Sequence, residues 1–145
     1  MIRRPPRSTL DRSSAASDVY KRQIATYDKR KIEKLRANAG IVRNRLKIEA
    51  TVNNANQFLK IAEEFGSFCN YLWNFTDGKP IVNRWKTVAQ VPATTPLSDS
   101  ISKEMKGRDF KFFGSTVCYA YMQAVGMVND HTVDCFRHKE CELLQ

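Results

Sequence analysis

The sequence predicts an all-α fold, and three observations carry that expectation. Apolar residues recur at the three- and four-residue spacing of a helix face, capping and stop residues punctuate those runs, and no stretch alternates with the period of a strand. A length of 145 residues favours one domain. With 42% hydrophobic residues and a mean hydropathy of −0.49, nothing approaches the roughly eighteen consecutive apolar residues that cross a bilayer, so membrane-spanning classes are set aside. Four Cys are far too few for a disulfide scaffold, and no apolar signal segment precedes a cleavage site; a reducing, cytoplasmic location without bridges is expected.

Residues Met1 to Gln23, MIRRPPRSTLDRSSAASDVYKRQ, show no helical or strand period. A disordered basic arm and an Arg- and Ser-rich transit peptide both fit the composition, although Asp11, Asp18 and the lack of an amphipathic stripe weigh against the latter. A third reading fits better, because RPPRSTL with SSAASDVYKRQ resembles a translated adapter or vector leader. The segment is therefore expected to lie outside the folded body, 24–145.

Asp28 is placed to cap a first helix from Lys29 to Asn38, with Ile32 and Leu35 inward and Ala39-Gly40 as a left-handed stop. From Ile41, the residues Ile48, Val52, Ala55, Leu59 and Ala62 continue a helical stripe that Gly66 ends, the longest helix of the chain. Ser67 opens a short aromatic helix, SFCNYLWNF, expected to be buried and broken by Thr76-Asp77-Gly78 and Pro80. WKTVAQVP reads as a brief connector helix or turn. In TTPLSDSISKEMKG a Ser98 cap, an Ile101 and Met105 face and a terminal Gly107 predict another helix. GSTVCYAYMQAVGMV is apolar nearly all round, with Val117, Tyr121, Ala124 and Val128 on one stripe and Cys118, Met122 and Val125 on its neighbour, so a central helix is expected.

The chain carries a formal charge of +9, a balance that draws polyanions, nucleic acid first and anionic lipid second. The leader accounts for +4, through Arg3, Arg4, Arg7, Arg12, Lys21 and Arg22 against Asp11 and Asp18. Between Asp28 and Glu49 lie Lys29, Arg30, Lys31, Lys34, Arg36, Arg43, Arg45 and Lys47 against Asp28, Glu33 and Glu49, a net of +5 that equals the whole surplus of the body. A solvated helix face with i,i+4 pairs is the ordinary reading of such a run, and its confinement to one hairpin points toward a phosphate-facing surface.

The stretch DFKFFGSTVC, Asp109 to Cys118, carries the most chemistry. A hairpin ending at a helix N-terminus aims backbone N–H groups outward; Gly114 admits a phosphate, Ser115 and Thr116 offer hydroxyls, and the helix dipole favours an anion. Lys103, Lys106, Arg108 and Lys111 precede it. An ordinary interhelical turn is the competing reading. The element resembles the helix-hairpin-helix of DNA repair proteins.

The runs ANAGIVRNRLKIEATVNNANQFL, FGSFCNYLWNF, GKPIVNRW and VPATTPLSDSISKEMKGRDFKFFGSTVCYAYMQAVGMVNDHTVDC resemble, in order, the later part of the DNA-3-methyladenine glycosylase I family, over about Ile24 to Cys135. The resemblance implies an all-helical helix-hairpin-helix DNA glycosylase-like domain, incomplete at its N-terminus. It also implies excision of 3-methyladenine from alkylated double-stranded DNA in base-excision repair, by a monomer without a membrane partner. On that footing Phe110, Lys111, Phe112, Phe113, Gly114, Ser115 and Thr116 fall on the DNA-gripping hairpin.

His131 and Cys135 stand four apart, so on a helix they would share a face, and imidazole and thiolate suit Zn²⁺. The family resemblance implies a structural zinc held by an N-terminal Cys and His and by this C-terminal His-x-x-x-Cys, of which only the latter pair is found. His138 and Cys141 would complete a set only if the chain turned after Cys135, since a straight helix spreads ten residues over about 15 Å. Cys69 and Cys118, in apolar runs, read as buried structural thiols.

No catalytic residue is expected in this chain. In the family the pocket glutamate and stacking aromatics belong to a segment before Ile24, and Glu33, Glu49, Glu63 and Glu64 lie on polar faces. Asp130 reads as a cap or an orienting partner for His131, and Trp73, Trp85, Tyr71, Tyr119 and Tyr121 as core. Three functions follow: part of a monofunctional glycosylase, a non-catalytic helix-hairpin-helix DNA-binding module, or a basic protein-interaction domain. For the chain as it stands the expectation is weak, salt-sensitive duplex binding without base release.

Overall fold

Side-chain amides, more than glycines, set the helix ends in the first half of the molecule. The computed structural model describes residues 21–143, and these gather into two units: one comprises the described chain up to Phe68 with Gly107–Phe112, the other Cys69–Lys106 with the chain from Phe113 on. Residues 1–20, most of the proposed leader, lie outside the described residues.

In the first unit residues 21–25 are helical, so this helix runs across the boundary placed at Gln23. Lys21 Nζ sits 3.6 Å from the Phe58 ring centre, and Asn56 Nδ2 donates to the carbonyls of Val52 at 2.9 Å and Ala25 at 3.4 Å. Helix α1, Lys29–Ala37, starts as expected with Asp28 Oδ1 accepting the Lys31 N–H at 2.7 Å. Its end differs from expectation. Asn38 leaves the helix in extended conformation and its Oδ1 accepts the Gly40 N–H at 2.8 Å, so a side-chain turn replaces the left-handed glycine stop.

Helix α2, Arg45–Phe65, begins at an Asn44 cap, four residues later than the apolar period suggests, and leaves Ile41 and Val42 exposed. It ends on Gly66 at φ 77, where a side chain would be strained. Its buried face is Ile48, Ala50, Ala55, Phe58 and Ile61, while Val52, Leu59 and Ala62 are half-buried. Phe58 stacks on Phe68 at 4.5 Å, and Phe68 lies 6.3 Å from Phe110. Burying Phe58 and Ile61 contributes about 1.5–3 kcal/mol each.

Helix α3, Phe68–Trp73, which enters the second unit at Cys69, runs into a 3-10 turn, Asn74–Thr76, and stops at two positive-φ residues, Asp77 and Gly78. Tyr71 and Leu72 are buried. Cys69, read from sequence as a buried thiol, is exposed, because six residues of helix turn only one narrow face inward. Strand β1, Ile81–Val82, pairs in parallel with β2, Val128–Asn129, with Ile81 opposite Val128 and Val82 opposite Asn129. Two-residue strands are too short to show an alternating period. The WKTVAQVP connector holds a 3-10 turn, Val88–Gln90, with Gln90 Oε1 accepting the Lys86 and Thr87 N–H groups.

Helix α4, Pro96–Gly107, starts two residues before Ser98. Thr95 Oγ1 accepts the Ser98 N–H at 3.2 Å while Ser98 Oγ accepts the Thr95 N–H at 2.8 Å, so Ser98 reciprocates the cap instead of forming it, and Pro96 occupies the first turn. Ile101 and Met105 are fully buried, as predicted. Helix α5, Ser115–Ala124, buries Cys118, Tyr119 and Met122 but exposes Val117 and Tyr121. The expectation of a central helix is thus corrected: apolar composition all round does not say which face neighbours cover. Helix α6, Phe136–Leu143, ends the described chain with His138 buried. The all-α class holds, and among the described residues no helix is long and apolar enough to cross a membrane.

The reciprocal cap makes a prediction. Thr95→Ala removes one acceptor and is expected to lower stability by about 1 kcal/mol, read as a drop in urea midpoint at unchanged m-value.

Candidate nucleic-acid interface

Of the segment from Phe110 to Thr116, residues up to Phe112 belong to the first unit and those from Phe113 to the second. In the first unit, Asn54 holds both backbone groups of Lys111: Asn54 Oδ1 accepts the Lys111 N–H at 2.8 Å and Asn54 Nδ2 donates to the Lys111 carbonyl at 2.8 Å. Asn53 Nδ2 donates to the Asp109 carbonyl at 2.7 Å. Asp109 and Phe112 take positive φ, 65 and 55, so the turn is strained at both ends. Phe110 points into the core of its unit, whereas Lys111, ion-paired to Asp109, is exposed and Phe112 is 61% exposed. Beside them an open cavity of about 320 Å³ is lined by Leu46, Glu49, Ala50, Asn53, Lys111 and Phe112. Arg108 grips Glu64 at 2.7 and 3.2 Å, and that hydrogen bond holds the Glu64 carboxyl below the usual range.

In the second unit two α4 serines secure the rest. Ser102 Oγ donates to the Phe113 carbonyl at 2.9 Å, and Ser98 and Ser115 share a hydrogen bond at 2.8 Å. The Ser115 hydroxyl is therefore turned inward, and Thr116 is the exposed one. Phe113 meets Tyr121 edge-on at 6.5 Å. Gly114 has an ordinary φ of −79, and a Cβ there would meet open space, so the fold does not require glycine at this position. What glycine leaves is clearance before the N-terminus of α5, where the first N–H groups have no carbonyl within the helix.

The basic hairpin is α1 and the start of α2. Arg36 pairs with Glu33 and Arg45 with Glu49, both at 2.7 Å, while Lys29, Arg30, Lys31, Lys34, Arg43 and Lys47 are exposed. Both pairs lie on the surface and contribute little to stability. Glu33, Glu49 and Glu64 each serve a neighbouring arginine, and Glu63 is exposed, in accord with solvated roles.

His131 and Cys135 lie on a turn between β2 and α6, not on a helix, and the turn still sets them side by side, with His131 Nδ1 3.8 Å from Cys135 Sγ. Two ligands of one tetrahedral zinc stand roughly 3.6 Å apart, so the pair fits half a site. No third His, Cys, Asp or Glu joins them among the described residues. His138 does not complete the set. Its buried ring donates from Nε2 to the Asn83 carbonyl at 2.8 Å, and its own carbonyl accepts from Asn129 Nδ2 at 3.0 Å.

Asp130 departs most from expectation. It makes no bond to His131, whose N–H goes to Asn129 Oδ1. Its carboxylate instead accepts from Asn83 Nδ2 and Trp85 Nε1, both at 2.7 Å, from Tyr119 Oη at 2.5 Å and from Gln123 Nε2 at 2.8 Å. Burial opposes its charge, yet the four bonds outweigh burial and hold the acid below the ordinary carboxylate range. Burial and this partner push the Tyr119 phenol up, and burial alone pushes the Cys118 thiol up to about 11, which makes it inert. Tyr71 and Tyr119 are core, Trp73 and Trp85 half-buried, and Tyr121 sits at the surface. Asn53, Asn54 and the Asp130 partners carry no local sequence signal that would single them out.

Residues 11–138 match the family model for methyladenine glycosylase. DNA-3-methyladenine glycosylase 1 of Escherichia coli (strain K12) is 40% identical over 113 residues, 78% of this chain and 60% of that protein. DNA-3-methyladenine glycosylase of Haemophilus influenzae is 39% identical over 124 residues, 80% of this chain and 67% of that protein. Among solved structures, a 3-methyladenine DNA glycosylase I superposes with a TM-score of 0.75 at 38% identity, over 86% of this chain and 70% of the other. The Staphylococcus aureus enzyme, studied for 3-methyladenine recognition, gives 0.76 at 28%, over 86% and 68%. The chain thus spans 60% of the length of its Escherichia coli relative.

Asp130→Asn turns an NH₂ toward donors at Tyr119 and Gln123 and is expected to cost about 2–3 kcal/mol in chemical denaturation, whereas Tyr119→Phe, losing one donor, costs about 1 kcal/mol.

Proposed function

The chain belongs to the methyladenine glycosylase family, and from that premise we propose that it serves base-excision repair as a DNA-3-methyladenine glycosylase, hydrolysing the N-glycosidic bond of 3-methyladenine in alkylated double-stranded DNA. An N3-alkylated adenine is cationic and leaves readily, so the demand on the protein is to hold a bent duplex and receive an extruded base. The described residues fit the first task. The observation that carries this is the Lys111–Phe112 turn of the first unit, an exposed Lys and Phe on a clamped backbone; the second unit separately offers a glycine with open space before the α5 N-terminus. Contacts of that kind bind phosphate without reading sequence, and the exposed cations of α1 and α2 supply long-range attraction.

The zinc belongs to the same proposal. Its support is the apposition of His131 and Cys135, which would contribute one nitrogen and one thiolate to a structural ion. A zinc so held ties the β2–α6 turn and takes no part in the reaction. We further place the protein in the cytoplasm as a monomer.

Fluorescence anisotropy with a labelled duplex is expected to show binding that weakens steeply between about 50 and 200 mM salt. Gly114→Ala, harmless to the fold because its Cβ meets nothing, is expected to weaken binding about tenfold by blocking backbone approach. Unchanged affinity in that variant removes the hairpin from the interface. Release of 3-methyladenine from methylated duplex tests hydrolysis, and binding without release assigns these residues the grip alone. For zinc, cobalt substitution should give a thiolate charge-transfer band that Cys135→Ser abolishes.

A further inference from the structure

We propose that Asn54, assisted by Asn53, is a positioning residue for DNA, setting where Lys111 and Phe112 meet the duplex; the inference rests on the DNA-gripping reading of this turn. One side-chain amide satisfies both the N–H and the carbonyl of Lys111, each at 2.8 Å, and the neighbouring amide takes the Asp109 carbonyl at 2.7 Å. The clamp therefore grips backbone only and leaves the Phe112 ring and the Lys111 ammonium, which pairs with the exposed Asp109 carboxylate, facing outward. It does so against resistance, since Asp109 and Phe112 occupy left-handed φ values of 65 and 55 that residues with a side chain rarely adopt.

The strain is not repaid by packing at Phe112, whose side chain is 61% exposed while Phe110 two residues earlier is buried. A turn built only to close a core would direct Phe112 inward. This one holds an aromatic and an ammonium on the surface, at fixed places, next to the open cavity formed with Leu46, Glu49, Ala50 and Asn53. An asparagine is required at position 54 because one bond needs an acceptor and the other a donor. Aspartate keeps the shape and the acceptor but sets a carboxylate oxygen against the Lys111 carbonyl.

Asn54→Asp, Asn54→Ala and Asn53→Ala in the full chain, alongside Lys111→Ala and Gly114→Ala, are measured for duplex affinity over a salt series and for thermal stability. Both Asn54 variants are expected to bind about tenfold more weakly and, like Lys111→Ala, to reduce the slope of log affinity against log salt by about one, because the Lys111 phosphate contact is lost. A role in stability alone would leave that slope unchanged in protein that remains folded. Wild-type affinity and slope in folded Asn54 variants, with Lys111→Ala and Gly114→Ala impaired, overturn the clamp. Should all five bind like the wild type, the DNA reading of the turn fails as well. If the Asn54 variants do not fold, Asn53→Ala, which gives up a single bond, decides: about threefold weaker binding supports the proposal, and unchanged binding overturns it.

Discussion

A carboxylate half-removed from water must find donors, and in the second unit that requirement sets much of the arrangement. Asp130 collects four donors from two separate stretches: Asn83 and Trp85 just after β1, and Tyr119 and Gln123 one turn apart on α5. The carboxylate therefore fixes how far α5 is rotated relative to the β1–β2 pair. Rotation of α5 in turn sets which of its residues face outward and where its N-terminal Gly114, Ser115 and Thr116 point. A second joint meets the first at Asn83, whose carbonyl takes the His138 ring while its amide takes Asp130. Buried polar networks of this kind are stable only when every member is satisfied, and this one leaves the acid ionised and the Tyr119 phenol protonated.

In the first unit the same work falls to side-chain amides. Asn38 and Asn44 close one helix and open the next, Asn56 caps the helical residues 21–25, and Asn53 and Asn54 hold the Asp109–Lys111 backbone. Each supplies a hydrogen bond that the main chain lacks at a turn, where regular secondary structure has none to give. The strained residues Asp109 and Phe112 sit beside the strongest of these clamps, so the strain and its restraint are neighbours in space.

The helices that carry long apolar stripes were legible in the sequence, as were the Asp28 cap, the Gly66 stop and the Ile101 and Met105 face of α4. The departures have physical causes. Asn38 ended α1 because an asparagine turn needs no positive φ, and Thr95 displaced Ser98 as the cap because Pro96 suits a first turn. Cys69 and Tyr121 face outward although their neighbours in sequence are apolar, since hydrophobicity marks what can be covered and not what is. His131 and Cys135 meet through a turn, and the four-residue spacing that would align them on a helix serves that geometry as well.

The order of residues by itself determined the helical class and the family and singled out the turn from Lys111 to Thr116, because period, caps and the run from Lys111 to Cys135 are local properties of the chain. Only the tertiary structure decided that Asp130 is a hub, that His138 is spent on Asn83 and that Asn53 and Asn54 hold the turn. Those bonds join residues 7 to 57 positions apart, most of them 45 or more. A donor and acceptor so far apart become partners only when packing brings them together, and no window of sequence records that.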